Sequence, residues 1–243
     1  MTIAVVVFPG TNCEHDVVHA LDLLDTEAEL VWHRDTHLSN FSGIVLPGGF
    51  AHGDYLRTGA IARFSPVMAE VERAAQIGTP VLGICNGFQI LCEAGLLPGA
   101  LVANRDLQFI CRPIHVRIES TDSVLTGAAS VGDVLRIPLN SYEGNYIVPT
   151  EQLTEIEANE QVILRYCDEA GVVSDRANPN GSTNTIAGLT NKRGNVAAVM
   201  PHPERATETI LGSDDGRRLL EGFVVATRAA PVPSPSRTEA AAV

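Results

Sequence analysis

The chain has 243 residues, 45% hydrophobic and 19% charged, enough to bury one large core or two small ones. Its formal net charge of −12 argues against a nucleic-acid or anionic-membrane partner, because both require a basic face. No apolar run approaches the roughly 20 residues that span a bilayer. The opening apolar run is too short for a secretory signal and has no basic flank. The cysteines, at 13, 85, 92, 111 and 167, form no Cys-x-x-Cys pair, so reduced thiols in a cytoplasm are expected.

Residues 3–8 are a continuous apolar run, as in a strand buried on both faces of a parallel sheet. Pro9 and Gly10 end it, and Asn12 is placed to cap a helix carrying Val17, Val18, Leu21 and Leu24 on one side. Short strands are predicted at 29–33 and 43–46, the second stopped by Pro47, Gly48 and Gly49. Ser65 and Pro66 supply the N-cap and first residue of a helix that Gly78 stops. A fourth strand is predicted at 80–84, followed by a helix ending at Gly95. This alternation predicts an α/β domain with a mostly parallel sheet and helices on both faces.

From about residue 100 the texture changes. Strands are predicted at 108–119, 134–138, 161–166, 185–189 and 196–200, with few helix signals between them. They read as antiparallel additions to one side of the parallel core. A last helix starts at Ser213, with Asp214 and Asp215 in its first turn and Leu219, Leu220, Phe223 and Val224 inward. One domain over 1–228 is expected, then a Pro/Ser/Ala-rich disordered tail over 229–243.

Chemistry concentrates where the fourth strand meets its helix. Gly83-x-Cys85-x-Gly87 between an apolar run and an apolar-periodic segment has the layout of a nucleophile elbow. The glycines let the backbone through a crowded turn. A helix N-terminus favours the thiolate, so Cys85 is the candidate nucleophile. A thiol nucleophile needs a base and a group to orient that base. His202 and Glu204, each preceded by a proline, sit at the end of the 196–200 strand. Residues two apart in extended backbone share a side, so Glu204 can hold one ring nitrogen while the other faces Cys85. The N–H of Asn86 and that of Gly49 or Phe50 are the candidate oxyanion hole.

Each of these features alone has an ordinary structural explanation, but all lie at carboxyl ends of predicted strands, where α/β sheets place their sites. Cys13, also just after a strand, is the rival nucleophile, though no elbow precedes it. Cys92, Cys111 and Cys167 read as structural thiols. His15 and His19 have metal-ligand spacing on a helix but no third ligand, so no metal site is assigned. Asp54, Tyr55 and Arg57 are placed to reach the cleft or to tie down their own loop.

The elbow and the Pro-His-Pro-Glu segment at 201–204 resemble class I glutamine amidotransferases, whose triad is Cys-His-Glu in this chain order. The segments 8–16, 47–63, 83–91, 178–188 and 194–205 are similar to the glutaminase subunits of phosphoribosylformylglycinamidine synthase, together covering the chain from 1 to about 225. Relatives commonly differ at 51–52 and 140–144.

The resemblance implies a flavodoxin-like amidotransferase fold in which Cys85 attacks glutamine, and Gln89 matches a substrate-contact position. It also implies a synthetase subunit that receives the ammonia and a small bridging subunit. This chain itself carries no cofactor, ATP and Mg²⁺ belonging to the synthetase, and no Gly-x-x-x-x-Gly-Lys loop is present. The alternatives are another class I amidotransferase, a lone γ-glutamyl cysteine hydrolase, or a catalytically silent regulatory subunit.

Overall fold

A computed structural model describes residues 1–229; the tail expected over 229–243 lies, apart from Ala229, outside the described residues. The first half of the chain alternates strand and helix: β1 (Thr2–Val7), α1 (Glu14–Asp22), β2 (Glu27–Trp32), β3 (Gly43–Leu46), α2 (Pro66–Ile77), β4 (Val81–Ile84) and α3 (Asn86–Glu93). Then come β5 (Ala100–Val102), β6 (Ile110–Ile118), β7 (Val134–Ser141), β8 (Asn145–Ile147), α4 (Thr150–Ala158), β9 (Val162–Cys167), β10 (Ile186–Thr190), β11 (Val196–Val199) and α5 (Asp215–Ala229). Nine strands form one sheet in the order β2-β1-β3-β4-β11-β10-β9-β6-β7, and β5 pairs with β8 in a separate ribbon.

The first five strands of that order are mutually parallel, and each pairing from β11 outward is antiparallel. This is the α/β architecture expected from the sequence, with the antiparallel strands added on one side. The continuous apolar run in β1 is explained by its place between β2 and β3, where Ile3, Ala4, Val5 and Val6 are fully buried. α3 packs on β3, β4 and β11, while α1 contacts α5.

Local signals fared unevenly. Gly78 ends α2 at φ +97°, a left-handed conformation that glycine adopts without steric cost. Ser65 occupies the N-cap of α2 but its side chain does not cap the helix; its hydroxyl instead bonds Nδ1 of His33 at 3.0 Å. Asn12 is not the cap of α1. Cys13 holds that position, and the backbone N–H groups of both residues donate to Gly48 O at 3.3 and 3.2 Å, drawing this turn onto the loop after β3. α4 carried too little signal to predict: of its nine residues only Ile156 is buried, with Leu153 half-buried.

The sheet brings the two halves of the sequence together at one point. β11 runs parallel beside β4, with Ala198 opposite Gly83 and Val199 opposite Ile84, so both strands end side by side. The Cys85 N–H donates to Val199 O at 2.8 Å. Gly87 lets α3 lie close on β3: a Cβ there would stand 1.9 Å from the Leu46 carbonyl oxygen, against backbone that has nowhere to go. Gly87→Ala is therefore expected to cost about 2 kcal/mol or more by overpacking, measured as a lowered midpoint in denaturant unfolding.

Candidate active site

Cys85 sits between β4 and α3 at φ +51°, ψ −104°, outside the regions that L-residues ordinarily occupy. Such a conformation costs of the order of 1–3 kcal/mol and persists because the surroundings fix it. It turns the 6% exposed thiol toward the strand ends, with Sγ 3.6 Å from Asn140 O. The first N–H groups of a helix lack intrahelical acceptors, so the Asn86 N–H is available beside the thiol.

His202 and Glu204 follow β11, both 2% exposed, with His202 Nδ1 2.6 Å from Glu204 Oε1. His202 Nε2 has no hydrogen-bond partner. Burial alone would lower the proton affinity of this imidazole. The Glu204 carboxylate, with the neighbouring Cys85 and Cys13 thiols, reverses that and holds it well above the usual histidine range. The structure thus brings the three residues predicted as a triad together, the His202 ring held by Glu204 and lying beside the Cys85 thiol.

Cys13 lies against the same imidazole. Its Sγ accepts from Arg205 Nη2 at 3.2 Å, and Arg205 also holds Asp16 at 2.9 Å. Burial pushes the Cys13 thiol up, with His202 acting in the opposite direction. Cys13, His202 and Glu204 offer ligand atoms within 4.8 Å of one another, the one such group among the described residues. In it, His202 Nδ1 is already engaged by Glu204. Gly48 makes this crowding possible, since a Cβ there would meet His202 Cε1 at 2.8 Å and Cys13 Sγ at 3.0 Å.

The loop after β3 forms the facing wall. Phe50 N–H donates to Gly10 O at 2.9 Å, so the Phe50 donor proposed for the oxyanion hole is occupied. The Gly49 N–H has no acceptor among the described residues and is the one of the two still free to donate. The Asn86 carboxamide joins loop to elbow: Oδ1 accepts from Ala51 N–H at 3.0 Å, and Nδ2 donates to Asp54 Oδ1 at 3.3 Å and Gln89 Oε1 at 2.7 Å. Gln89 Nε2 in turn donates to Glu143 O at 2.6 Å. Of the residues that follow, Arg57 turns away to a bidentate pair with Glu93, which accounts for it structurally.

These walls enclose a cavity of about 430 Å³ that contains Cys85, His202, Gln89 and Gly49. A larger recess of about 940 Å³ lies beside Cys92 and α4 and holds none of the predicted site residues. His19 bonds Glu208 at 2.9 Å, and His15 is exposed with its Nε2 3.8 Å from Glu14, the exposed helix face that the sequence suggested.

Residues 1–217 match the family of CobB/CobQ-like glutamine amidotransferase domains. The chain belongs to this family. It is 52% identical over 221 residues to the phosphoribosylformylglycinamidine synthase subunit PurQ of Salinibacter ruber, covering 90% of this chain and 94% of that one. It is 52% identical over 230 residues to the Gloeobacter violaceus subunit of the same name, covering 94% and 99%. Among solved structures, PurLQS from Thermotoga maritima superposes with TM-score 0.82 at 38% identity, over 92% of this chain and 97% of that one. A Thermoplasma acidophilum protein described as a putative GMP synthase subunit, at 16% identity and TM-score 0.61, shares the fold.

The amidotransferase site holds residues that the sequence reading passed over. Thr58 and Arg205 line the cavity, as does Asn12, which the sequence suggested only as a helix cap. The 140–144 segment, where relatives commonly differ, belongs to the cleft through Asn140, Ser141, Tyr142 and Glu143. Burial and the nearby Glu143 raise the Asp54 carboxyl from 3.8 to about 6, the hydrogen bond from Asn86 partly opposing them; burial also raises Glu143. Because the folded state holds the Asp54 proton more tightly than the unfolded chain, ionised Asp54 destabilises the fold. That penalty is absent below about pH 4, grows to about pH 6 and is complete above it. Asp54→Asn is expected to raise the unfolding midpoint at pH 7.5 and to leave it nearly unchanged at pH 4, as measured by thermal denaturation at the two pH values.

Proposed function

We infer that this chain is the glutamine-hydrolysing subunit of a phosphoribosylformylglycinamidine synthase, acting in purine biosynthesis. The observation that carries the chemistry is the strained, buried Cys85 lying against an imidazole whose other nitrogen is held by Glu204. The pathway rests on likeness to the PurQ subunits over nearly the whole of both chains.

In the mechanism we propose, the Cys85 thiolate attacks the side-chain amide carbon of glutamine. The carbonyl oxygen takes up negative charge facing the N–H groups of Asn86 and Gly49. Protonated His202 gives its proton to the departing nitrogen, so the C–N bond breaks and ammonia leaves a γ-glutamyl thioester. His202 then takes a proton from water, whose oxygen attacks the thioester and releases glutamate and the thiol. Glu204 holds the ring in place and stabilises its charged form throughout.

The ammonia is intended for a synthetase subunit, and the similar Thermotoga maritima structure is that of PurLQS. Around the cavity mouth, Phe50, Phe109 and Tyr142 are exposed, and Tyr55 and Leu56 on the adjoining loop are 73% and 91% exposed. Such apolar exposure at a site rim suits a protein cover. We further propose that a small bridging subunit completes the assembly and that ATP and Mg²⁺ are used by the synthetase alone. A cytoplasmic setting fits five free cysteines, which a reducing compartment keeps unpaired. Among the described residues no helix is long and apolar enough to cross a membrane.

Because two thiols lie against one imidazole, substitution decides between them. Cys85→Ala is expected to reduce glutamine-dependent ammonia release at least about a thousandfold, while Cys13→Ala keeps it within about tenfold; the reverse ranking would assign the nucleophile to Cys13. Leu56→Asp is expected to weaken assembly with the synthetase subunit by about tenfold or more, read by analytical ultracentrifugation of the mixed subunits.

A further inference from the structure

Outside the lining of the cavity, two imidazoles share one hydroxyl. His33 follows β2 and is 7% exposed, with Nδ1 3.0 Å from Ser65 Oγ. His52, half-buried on the loop after β3, brings Nε2 to 3.4 Å from the same oxygen. The two ring centroids stand 5.2 Å apart with the planes at 79°, Phe8 beside both and Trp32 against His33. A serine hydroxyl has a single proton to give. It can donate to one ring and accept from the other only while at least one ring is neutral.

Protonation of both rings would set two like charges at that separation among aromatic side chains, where water screens them poorly. Burial, then His52 and Arg34, lower the proton affinity of His33, and Asp35 opposes them. β1 presents Phe8 and the start of α2 presents Ser65, neither of them charged. On the loop itself, Asp54 is turned to the Asn86 carboxamide. His33 is pinned by its backbone, its N–H donating to Val7 O at 2.9 Å and its carbonyl accepting from Val67 N–H at 3.1 Å. His52 instead sits on a loop at φ +55°, a left-handed conformation that tertiary contacts must sustain. Repulsion within the pair therefore displaces His52.

The loop that His52 anchors is the one that faces Cys85. Its Ala51 N–H donates to Asn86 Oδ1 at 3.0 Å, and Asp54 accepts from Asn86 Nδ2 at 3.3 Å. The free Gly49 N–H lies on the same loop. We propose that His33, His52 and Ser65 form a pH-sensitive latch, closed while the hydroxyl bridges the rings and opened in mild acid, when both rings are charged and glutamine hydrolysis falls. The direction follows from linkage: a fold that favours neutral imidazoles loses that stability as the pH drops below the ordinary histidine value of about 6.5. The effect on activity rests on the reading of the chain as a glutamine-hydrolysing subunit.

The test is ammonia release from L-glutamine by the chain assembled with its synthetase partner, followed from pH 8 to pH 5.5, together with NMR titration of the histidine rings. His33→Asn and His52→Gln keep hydrogen-bonding atoms near the ring nitrogens they replace but take up no charge. The unsubstituted protein is expected to lose activity about fivefold or more between pH 7.5 and pH 6, reversibly, and each histidine variant less than about twofold. Activity of the variants at pH 7.5 should stay within about threefold of the unsubstituted protein, which identifies a folded chain. Asp54→Asn separates the contribution of that carboxyl, which also titrates at about 6. The rings of His33 and His52 should titrate in two separated steps, and removing either should shift the other. An acid loss as steep in both histidine variants as in the unsubstituted protein, or one abolished only by Asp54→Asn, would overturn the latch. Absence of ammonia release at every pH would overturn the functional reading, while rings that titrate independently would overturn the latch on their own.

Discussion

The geometry of the site depends on how closely α3 approaches β3. With no side chain at Gly87, the helix settles against the Leu46 carbonyl, and the chain turns from β4 into α3 within a single residue. That residue is Cys85, and its left-handed backbone follows from the turn. A longer connection would relax the backbone, but it would also let the thiol wander and would separate it from the Asn86 N–H. The strain is local, and the packing of β4 between β3 and β11 sustains it.

Strand order supplies what the elbow lacks. Cys85 and His202 lie far apart in the sequence, yet they follow adjacent parallel strands at the same end of the sheet. His202 and Glu204 come from one segment, which is not extended as the prolines suggested but enters a 3-10 turn at Pro203–Arg205, with His202 just before it. Base and orienting group thus keep their relation whatever happens elsewhere, and one backbone hydrogen bond, Cys85 N–H to Val199 O, registers this pair against the thiol.

Most of this was legible in the sequence where local rules are strict. An apolar run stopped by glycines, a proline after a serine and a Gly-x-Cys-x-Gly turn each have few structural solutions. Asn12 and Ser65 show the limit, since both have helix-capping chemistry and both use their side chains elsewhere. A cap competes with any tertiary partner that offers a comparable hydrogen bond. α4 was illegible because a helix that buries one residue leaves almost no periodic signal. Phe50 illustrates a further gap: whether a backbone N–H is free depends on which loop crosses it, and here Gly10 does. Thr58 escaped for a related reason, because only the folded chain brings its segment to the cavity.

The Asn86 carboxamide fastens the loop after β3 to the residue next to the thiol at both its oxygen and its nitrogen. The loop is therefore held on two sides, to the elbow by Asn86 and to the turn before α1 by the hydrogen bonds of Gly48 and Phe50. The exposed Tyr55 and Leu56 lie on the loop that Asn86 fastens to the elbow. Linkage then runs in both directions: whatever free energy docking lends to the loaded thiol, a substrate seated on the thiol lends back to docking.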